Sequence, residues 1–359
     1  MSFDPEQPYN DLPPLPPAGV DLETPAVLKA AVAAARALAE LKGVSDSIPD
    51  PAVLLRWVTL QEARLSSEIE NIFTTDDALY RAASQAGLDS SDPAVKEVQN
   101  YQWALWHGVQ TLRSGGALST RLMTEIFQII KDRCEEVRRT PGTRIVDAAG
   151  RTVYTPPEGE AVIRKKLADL ERFLYAQDDL EPLVKLAVLH YQFEAIHPFS
   201  DGNGRTGRIL NILYLMEQGL LEQPILYLSK FIIQHKSDYY RLLRNVTEKN
   251  DWEAWTLYML RAVEQTARET QVRVLSIRGL IETATADIRE HLPKIYSREL
   301  VDLIFEQPYC RIGSLEGIVE RKAASRYLRA LEGRGWLKAD QRGREVVYIN
   351  TRLLEVLRG

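Results

Sequence analysis

Cysteine, histidine and methionine are scarce in this chain, with two, five and four residues among 359. Cys134 and Cys310 form no CxxC and no metal-ligand spacing, which excludes a disulfide framework or a structural zinc site and fits a reducing compartment. Long apolar runs are missing, and no window approaches the roughly 18 apolar residues of a membrane span. The opening MSFDPEQPYNDLPPLPP has no basic stretch followed by an apolar one, so no signal peptide is expected. Charge of one sign is also modest. A net charge of -5 is too mild for a chain-wide affinity for nucleic acid or membrane. With 45% hydrophobic and 26% charged residues, the composition fits a soluble cytoplasmic protein of two or three domains.

Helical periodicity fills most of the chain. DLPPLPP, Asp11 to Pro17, is extended and polyproline-like, either an arm laid across a domain or a free segment. TPAVLKAAVAAARALAELKG reads as a helix with Thr24 as cap, Pro25 in the first turn and Gly43 as stop. DPAVLLRWVTLQEARLSSEIENI opens on Asp50 and Pro51 and repeats Leu54, Trp57, Val58, Leu65 and Ile69 at helical spacing. Further helices are expected at about 95–114, 119–134, 160–175 and 181–196, then RILNILYLMEQG to Gly219, SDYYRLLRNVT, and a long pattern from Asp251 to Glu290. TRIVDAAGRTVYTPP interrupts them with two short β segments around an Ala-Gly turn, a hairpin.

The last 69 residues carry thirteen Lys and Arg against nine Asp and Glu, a net of +4 that leaves -9 on the rest. Their order is helix 297–306, short helix 314–318, helix 321–331 and two strands around Arg342-Gly343. That is the order of a winged helix-turn-helix. Arg321, Lys322, Ser325, Arg326 and Arg329 would face a DNA backbone, or else form a solvated face opposite Ala324, Tyr327, Leu328 and Leu331. Docking or dimerisation remains an alternative use of this module.

HPFSDGNGRTGR, His197 to Arg208, concentrates chemistry. Gly202, Asn203, Gly204 and Gly207 let backbone N–H groups approach a ligand. The helix that follows offers unpaired N–H groups and a positive dipole end to an anion. Arg205 and Arg208, three apart, suit bidentate phosphate contact. There is no GxxxxGK(S/T), and a helix rather than a strand precedes the loop, so neither a Walker loop nor a Rossmann fingerprint applies. Asp201 offers one carboxylate for Mg²⁺ beside phosphates. A neutral His197 would take a proton from an incoming hydroxyl. Together these residues describe attack on a phosphate ester or anhydride. His190 is expected to be packed, and His107, His235 and His291 have no readable partner.

These twelve residues match the Fic motif HPFx(D/E)GNGRxxR at every defined position. LPPLPP, YTPP, HYQFEAIHPF, YLS, DYYRLL and DWEAW also resemble Fic enzymes with an N-terminal Fic-associated region and a C-terminal winged helix. The resemblance implies a mainly α fold: a Fic-type helical bundle with a β-hairpin flap, then a winged helix-turn-helix. The corresponding ranges are 1–110 (Fic-associated region with an inhibitory helix), 111–265 (Fic core), 266–290 (connecting helix) and 291–359. It further implies transfer of AMP from ATP to a Ser, Thr or Tyr hydroxyl of a target protein. On that resemblance His197 is the base, and Asp201 holds Mg²⁺. Gly202, Asn203 and Gly204 form the anion nest, with Thr206 and Gly207 in the same nucleotide-binding stretch. Arg205 and Arg208 hold the β- and γ-phosphates, and Phe199 packs inward. The hairpin at 143–155 aligns the target by strand addition, and Tyr239 and Tyr240 contact the adenine end.

SSEIEN resembles the family's inhibitory pattern (S/T)xxxE(G/N). It implies that Glu70 reaches Arg208 and withholds it from the γ-phosphate, with Ser66 orienting its own helix locally and Asn71 following. Glu70 would equally suit positioning a water for AMP removal. Two other functions stay open: transfer of UMP, phosphocholine or phosphate on the same fold, and a nucleotide-sensing regulator that binds DNA through 291–359. The intact His197 argues against a purely sensory body. Many relatives of this kind dimerise, although no apolar stripe here requires a homodimer.

Overall fold

The computed structural model describes residues 3–45, 51–75, 78–79, 92–147, 149–342 and 345–358. The cap expected at Asp50 and the turn expected at Gly343 lie outside the described residues, as does the side chain of Leu54.

Helices dominate. α1 (Pro25–Ser45) begins behind Thr24, whose hydroxyl accepts the Val27 N–H at 3.4 Å. It runs through Gly43 rather than stopping there. A glycine inside a helix costs about 1 kcal/mol relative to alanine, and burial of Ala34, Leu38 and Leu41 on one face outweighs that. α2 (Pro51–Ile69), α3 (Pro93–Arg113) and α4 (Thr120–Lys131) follow. α4 is framed by Ser119, whose hydroxyl accepts the Leu122 N–H, and by Asp132, which turns the chain out at φ 53°.

β1 (Ile145–Val146) and β2 (Thr152–Tyr154) form the expected hairpin, with Ile145 opposite Tyr154. Asp147 organises its turn by accepting the N–H groups of Ala149 and Arg151 at 2.9 and 3.0 Å. Six helices come next: α5 (Glu160–Leu174), α6 (Pro182–Ile196), α7 (Asn203–Glu217), α8 (Leu228–Gln234), α9 (Lys236–Lys249) and α10 (Trp252–His291). α10 is one unbroken helix of 40 residues.

The chain divides into two compact units. The first comprises Met1–Ala39, Leu60–Phe73 and Glu97–Arg268. Its centre is α6, a helix apolar on nearly all sides and buried along most of its length, as such a pattern requires. α7 packs against it, and Trp255 of α10 donates its indole N–H to the Ala187 carbonyl at 2.8 Å. The proline-rich segment is an arm. Prolines leave carbonyls without matching N–H donors, and side chains of the body supply them. Lys166 donates to the Leu12 carbonyl at 2.8 Å and Gln192 to that of Pro13 at 2.9 Å. The Tyr9 N–H meets the Thr155 carbonyl just past the hairpin.

The second unit comprises Glu40–Thr59, Thr74–Lys96 and Glu269–Gly359. Its C-terminal part runs α11 (Arg298–Glu306), β3 (Tyr309–Cys310), a 3₁₀ turn (Ile312–Leu315), α12 (Arg321–Gly333), β4 (Lys338–Arg342), β5 (Glu345–Ile349) and α13 (Thr351–Arg358). The antiparallel sheet has the order β3, β5, β4. Where 314–318 was expected to be helical there is the 3₁₀ turn, earlier in the chain and bounded by Gly317 at φ 95°. β3 is too short to leave a periodic signal, and α13 was not anticipated. On α12, Ala324, Leu328 and Leu331 are buried and Tyr327 only half so, while Arg321, Lys322, Arg326 and Arg329 are exposed.

Asn350 joins these elements. It is fully buried, donates to the Ile304 carbonyl at 3.0 Å, and accepts the Leu353 N–H at 3.0 Å as the cap of α13. Loss of a cap and of a buried donor each costs about 1–2 kcal/mol. Asn350→Ala is therefore expected to lower hydrogen-exchange protection of α11 and β5 by more than tenfold in the full chain. Unchanged protection would contradict this account of Asn350.

Candidate active site

The motif loop is held from several sides. Pro198 cannot continue α6, and His197 ends it in the left-handed region at φ 48°, a conformation that costs a residue with a Cβ energy and persists where its surroundings fix it. Arg138 does so. Its Nε donates to the His197 carbonyl at 2.7 Å, and its guanidinium also reaches the carbonyls of Pro157 and Ile196. Tyr154 of the hairpin donates to the Ala195 carbonyl at 2.7 Å. Phe199 is buried and stacks on Phe127 of α4, ring centres 4.2 Å apart. The Asn203 side chain closes the loop by pairing with both backbone groups of Phe199, at 2.9 Å each.

At the start of α7, Gly202 takes φ 73° as cap. The first bond of the helix runs from the Thr206 N–H to the Gly202 carbonyl at 3.0 Å. The N–H groups of Asn203, Gly204 and Arg205 thus stand at the open end. Asp201 lies beside them, its carboxylate accepting the Gly202 N–H at 2.6 Å and Lys131 Nζ at 2.7 Å. Burial works against its charge, but Lys131 and the N–H prevail and hold the carboxyl below its ordinary value. Thr206 and Gly207 are not part of this open end. The Thr206 hydroxyl is buried in the body. A Cβ at Gly207 would stand 2.6 Å from Glu194 and 3.1 Å from Phe193, so this glycine serves the approach of α7 to α6.

Arg208 is 99% buried and held by three hydrogen bonds. Its Nε donates to the Ser66 hydroxyl at 2.7 Å, and one terminal nitrogen donates to the Ser66 carbonyl at 2.9 Å and to Glu70 at 2.7 Å. Ser66 was expected to act within its own helix, but its hydroxyl faces the arginine of another. Asn71 ends α2 in the left-handed region at φ 63°, where asparagine and glycine are the tolerated residues. This gives a physical reason for that position of the pattern. Gly204 makes room for the pair, since a Cβ there would lie 2.3 Å from the Glu70 carboxylate. Arg205 is likewise buried and forms an ion pair with Glu97 of α3.

His197 has its imidazole Nδ1 buried without a hydrogen-bond partner. Burial, helped by Arg138, pushes its pKa down to about 4 and keeps the ring neutral. Glu194, one turn earlier on α6, has a buried Oε1 without a partner, and burial pushes its pKa up to about 7. His190 is packed, bonded to Tyr239 at 2.9 Å and to Asn211 at 3.1 Å. Tyr239 is accordingly a core residue and not an open surface, whereas its neighbour Tyr240 is exposed. Sequence reading missed Lys131, Glu97, Arg138 and Glu194. The first three are charged residues on otherwise ordinary amphipathic or loop segments. Glu194 carried a signal: a charge inside an apolar helix next to the motif.

Comparison with known proteins identifies the family. Residues 28–110 match the Fic/DOC family N-terminal model, residues 117–215 the Fic/DOC family model, and residues 280–353 the model described as protein adenylyltransferase SoFic-like, C-terminal domain. The chain belongs to the Fic/DOC family. Over 180 residues it is 27% identical to a protein of Aquifex aeolicus carrying the name probable protein adenylyltransferase, covering 50% of this chain and 54% of that one. Over 115 residues it is 32% identical to protein adenylyltransferase Fic of Nematostella vectensis, covering 32% of this chain and 25% of that one. The chain thus spans about half or less of the length of these curated relatives. Two solved structures share the fold. A Fic family protein from Desulfovibrio desulfuricans superposes with a TM-score of 0.55 at 19% identity, over 91% of this chain and 96% of that one. Fic-1 from C. elegans also gives 0.55, at 20% identity, over 72% and 75%.

Two outcomes follow from the geometry. Ser66→Ala leaves the buried Nε of Arg208 without an acceptor, at a cost of about 1–3 kcal/mol, which calorimetry should register as a fall of several degrees in Tm. An unchanged Tm would contradict the role given to Ser66. In an NMR titration the His197 ring should stay neutral from pH 8 to pH 5, because its pKa is held down to about 4. A midpoint near the ordinary histidine value would show the ring to be solvated.

Proposed function

We propose that this chain transfers AMP from ATP to a hydroxyl side chain of another protein, and that Glu70 holds it inactive. The observation that carries the reading is the Glu70–Arg208 ion pair, 2.7 Å long, set directly over the glycine at the open end of α7. A carboxylate held there stands where a phosphate oxygen would meet the same guanidinium.

With Glu70 withdrawn, Arg208 and the N–H groups of residues 203–205 would bind the polyphosphate of ATP. The target hydroxyl oxygen attacks the α-phosphorus. The bond from that phosphorus to the α,β-bridging oxygen breaks, pyrophosphate departs, and the hydroxyl proton passes to the neutral imidazole of His197. The left-handed backbone at His197, fixed by Arg138, and a ring kept neutral by burial support this role. The hairpin is suited to present the target segment by strand pairing, and Val146 on it is exposed.

Asp201 fits Mg²⁺. It is one ionised, accessible carboxylate at the phosphate end, the usual protein share of a site whose other ligands are phosphate oxygens and water. No group of three metal-ligating side chains stands among the described residues. Bound there, the ion would supply charge neutralisation on the phosphates.

The test is transfer of label from ATP to protein in a cell lysate, with UTP, GTP and CTP in parallel. Glu70→Gly should label at least tenfold faster than the unmodified chain. Adding His197→Ala should abolish labelling yet leave ATP binding largely intact. If Glu70→Gly labels no faster, inhibition by Glu70 is wrong. If label comes from UTP instead, the nucleotide assignment is wrong.

A further inference from the structure

A cation that the motif does not include stands at the open end of α7. Lys131 is the last residue of α4, where the helix dipole favours positive charge. Its Nζ donates to Asp201 at 2.7 Å and to Glu97 at 3.4 Å. The stem lies along Gly202, its Cδ 3.3 Å from where a Cβ at that glycine would stand, and the side chain is only 13% exposed. Arg205 meets the same Glu97 carboxylate, and its Nε is buried with no hydrogen-bond partner. Glu97 therefore gathers two cations beside the nest, and one N–H of that pair still lacks an acceptor.

Charge balance shows what changes when a polyphosphate arrives. Lys131, Arg205 and Arg208 face Glu97, Asp201 and Glu70, three against three. Phosphate at Arg208 displaces Glu70. A divalent ion held by Asp201 would compete with Lys131 for that carboxylate, and like charges at such range repel strongly in a half-buried site. An ammonium has three N–H donors and Lys131 uses two of them, so the third is available to a phosphate oxygen bound at the nest whether or not Asp201 is released.

We propose that Lys131 is a further phosphate-binding residue of the nucleotide site, with Glu97 as the positioning residue that keeps it and Arg205 at the nest. The assignment rests on the reading of the nest as a polyphosphate site. Lys131 gives the site a third cation, on α4, outside the glycine-rich loop.

The test is ATP binding by calorimetry in metal-free buffer with EDTA, in the Glu70→Gly background. Lys131→Gln should weaken binding about tenfold, the worth of one charge-assisted hydrogen bond, whereas Lys131→Arg should stay within about threefold. A cycle with Asp201→Asn separates direct contact from neutralisation of Asp201. The double variant Lys131→Gln/Asp201→Asn should bind about tenfold more weakly than Asp201→Asn alone. Equal binding by those two would overturn the assignment, because Lys131 would then act only by cancelling the aspartate. If the Glu70→Gly parent fails to bind ATP even with Mg²⁺, the nest reading itself falls and this inference with it.

Discussion

A guanidinium withdrawn from water cannot shed its charge at any physiological pH, so its surroundings must supply acceptors. Arg208 meets that constraint through Ser66 in the last turn of α2 and Glu70 just past its end. In the proposed function the same requirement makes the site switchable. Whatever displaces Glu70 must itself be an anion, since an uncompensated charge at this depth is strongly unfavourable. A carboxylate and a phosphate oxygen are interchangeable partners for the fork, and the exchange between them is the physical content of the proposed inhibition.

Around this point the molecule is built to keep the loop from relaxing. The positive φ of His197 is held by Arg138, the Phe199 ring is fixed by its stack on Phe127, and Asn203 uses its whole amide on the backbone of Phe199. None of these contacts reaches toward a ligand. They fix the direction of the N–H groups and of the imidazole beforehand, so that binding need not order them. The hairpin is tied to the same frame through Tyr154.

Charges complete the arrangement in pairs drawn from separate helices. Lys131 of α4, Glu97 of α3 and Glu70 just past α2 converge on residues 201–208. Glu194 stays apart. Burial raises its pKa to about 7, and its free oxygen lies under Gly207. Such a group answers to the net charge above it, because Arg208 draws it toward ionisation and Glu70 opposes that.

The sequence by itself determined the helical body, the hairpin, and the loop with its glycines, histidine, carboxylate and arginines. Those features are local: periodicity, turn residues and a contiguous motif. It also marked Ser66, Glu70 and Asn71, though only through resemblance, since a glutamate on an amphipathic helix has no signature of its own. Tertiary structure decided what contiguous letters do not encode. It turned the Ser66 hydroxyl to Arg208, put Tyr239 in the core against His190 while leaving Tyr240 exposed, and removed Thr206 and Gly207 from the open end of α7. It also brought Lys131 and Glu97 to the loop. The reason is the same in each case: the partner of a charge or hydroxyl is set by how helices far apart in the chain pack, and no spacing within one helix contains that information.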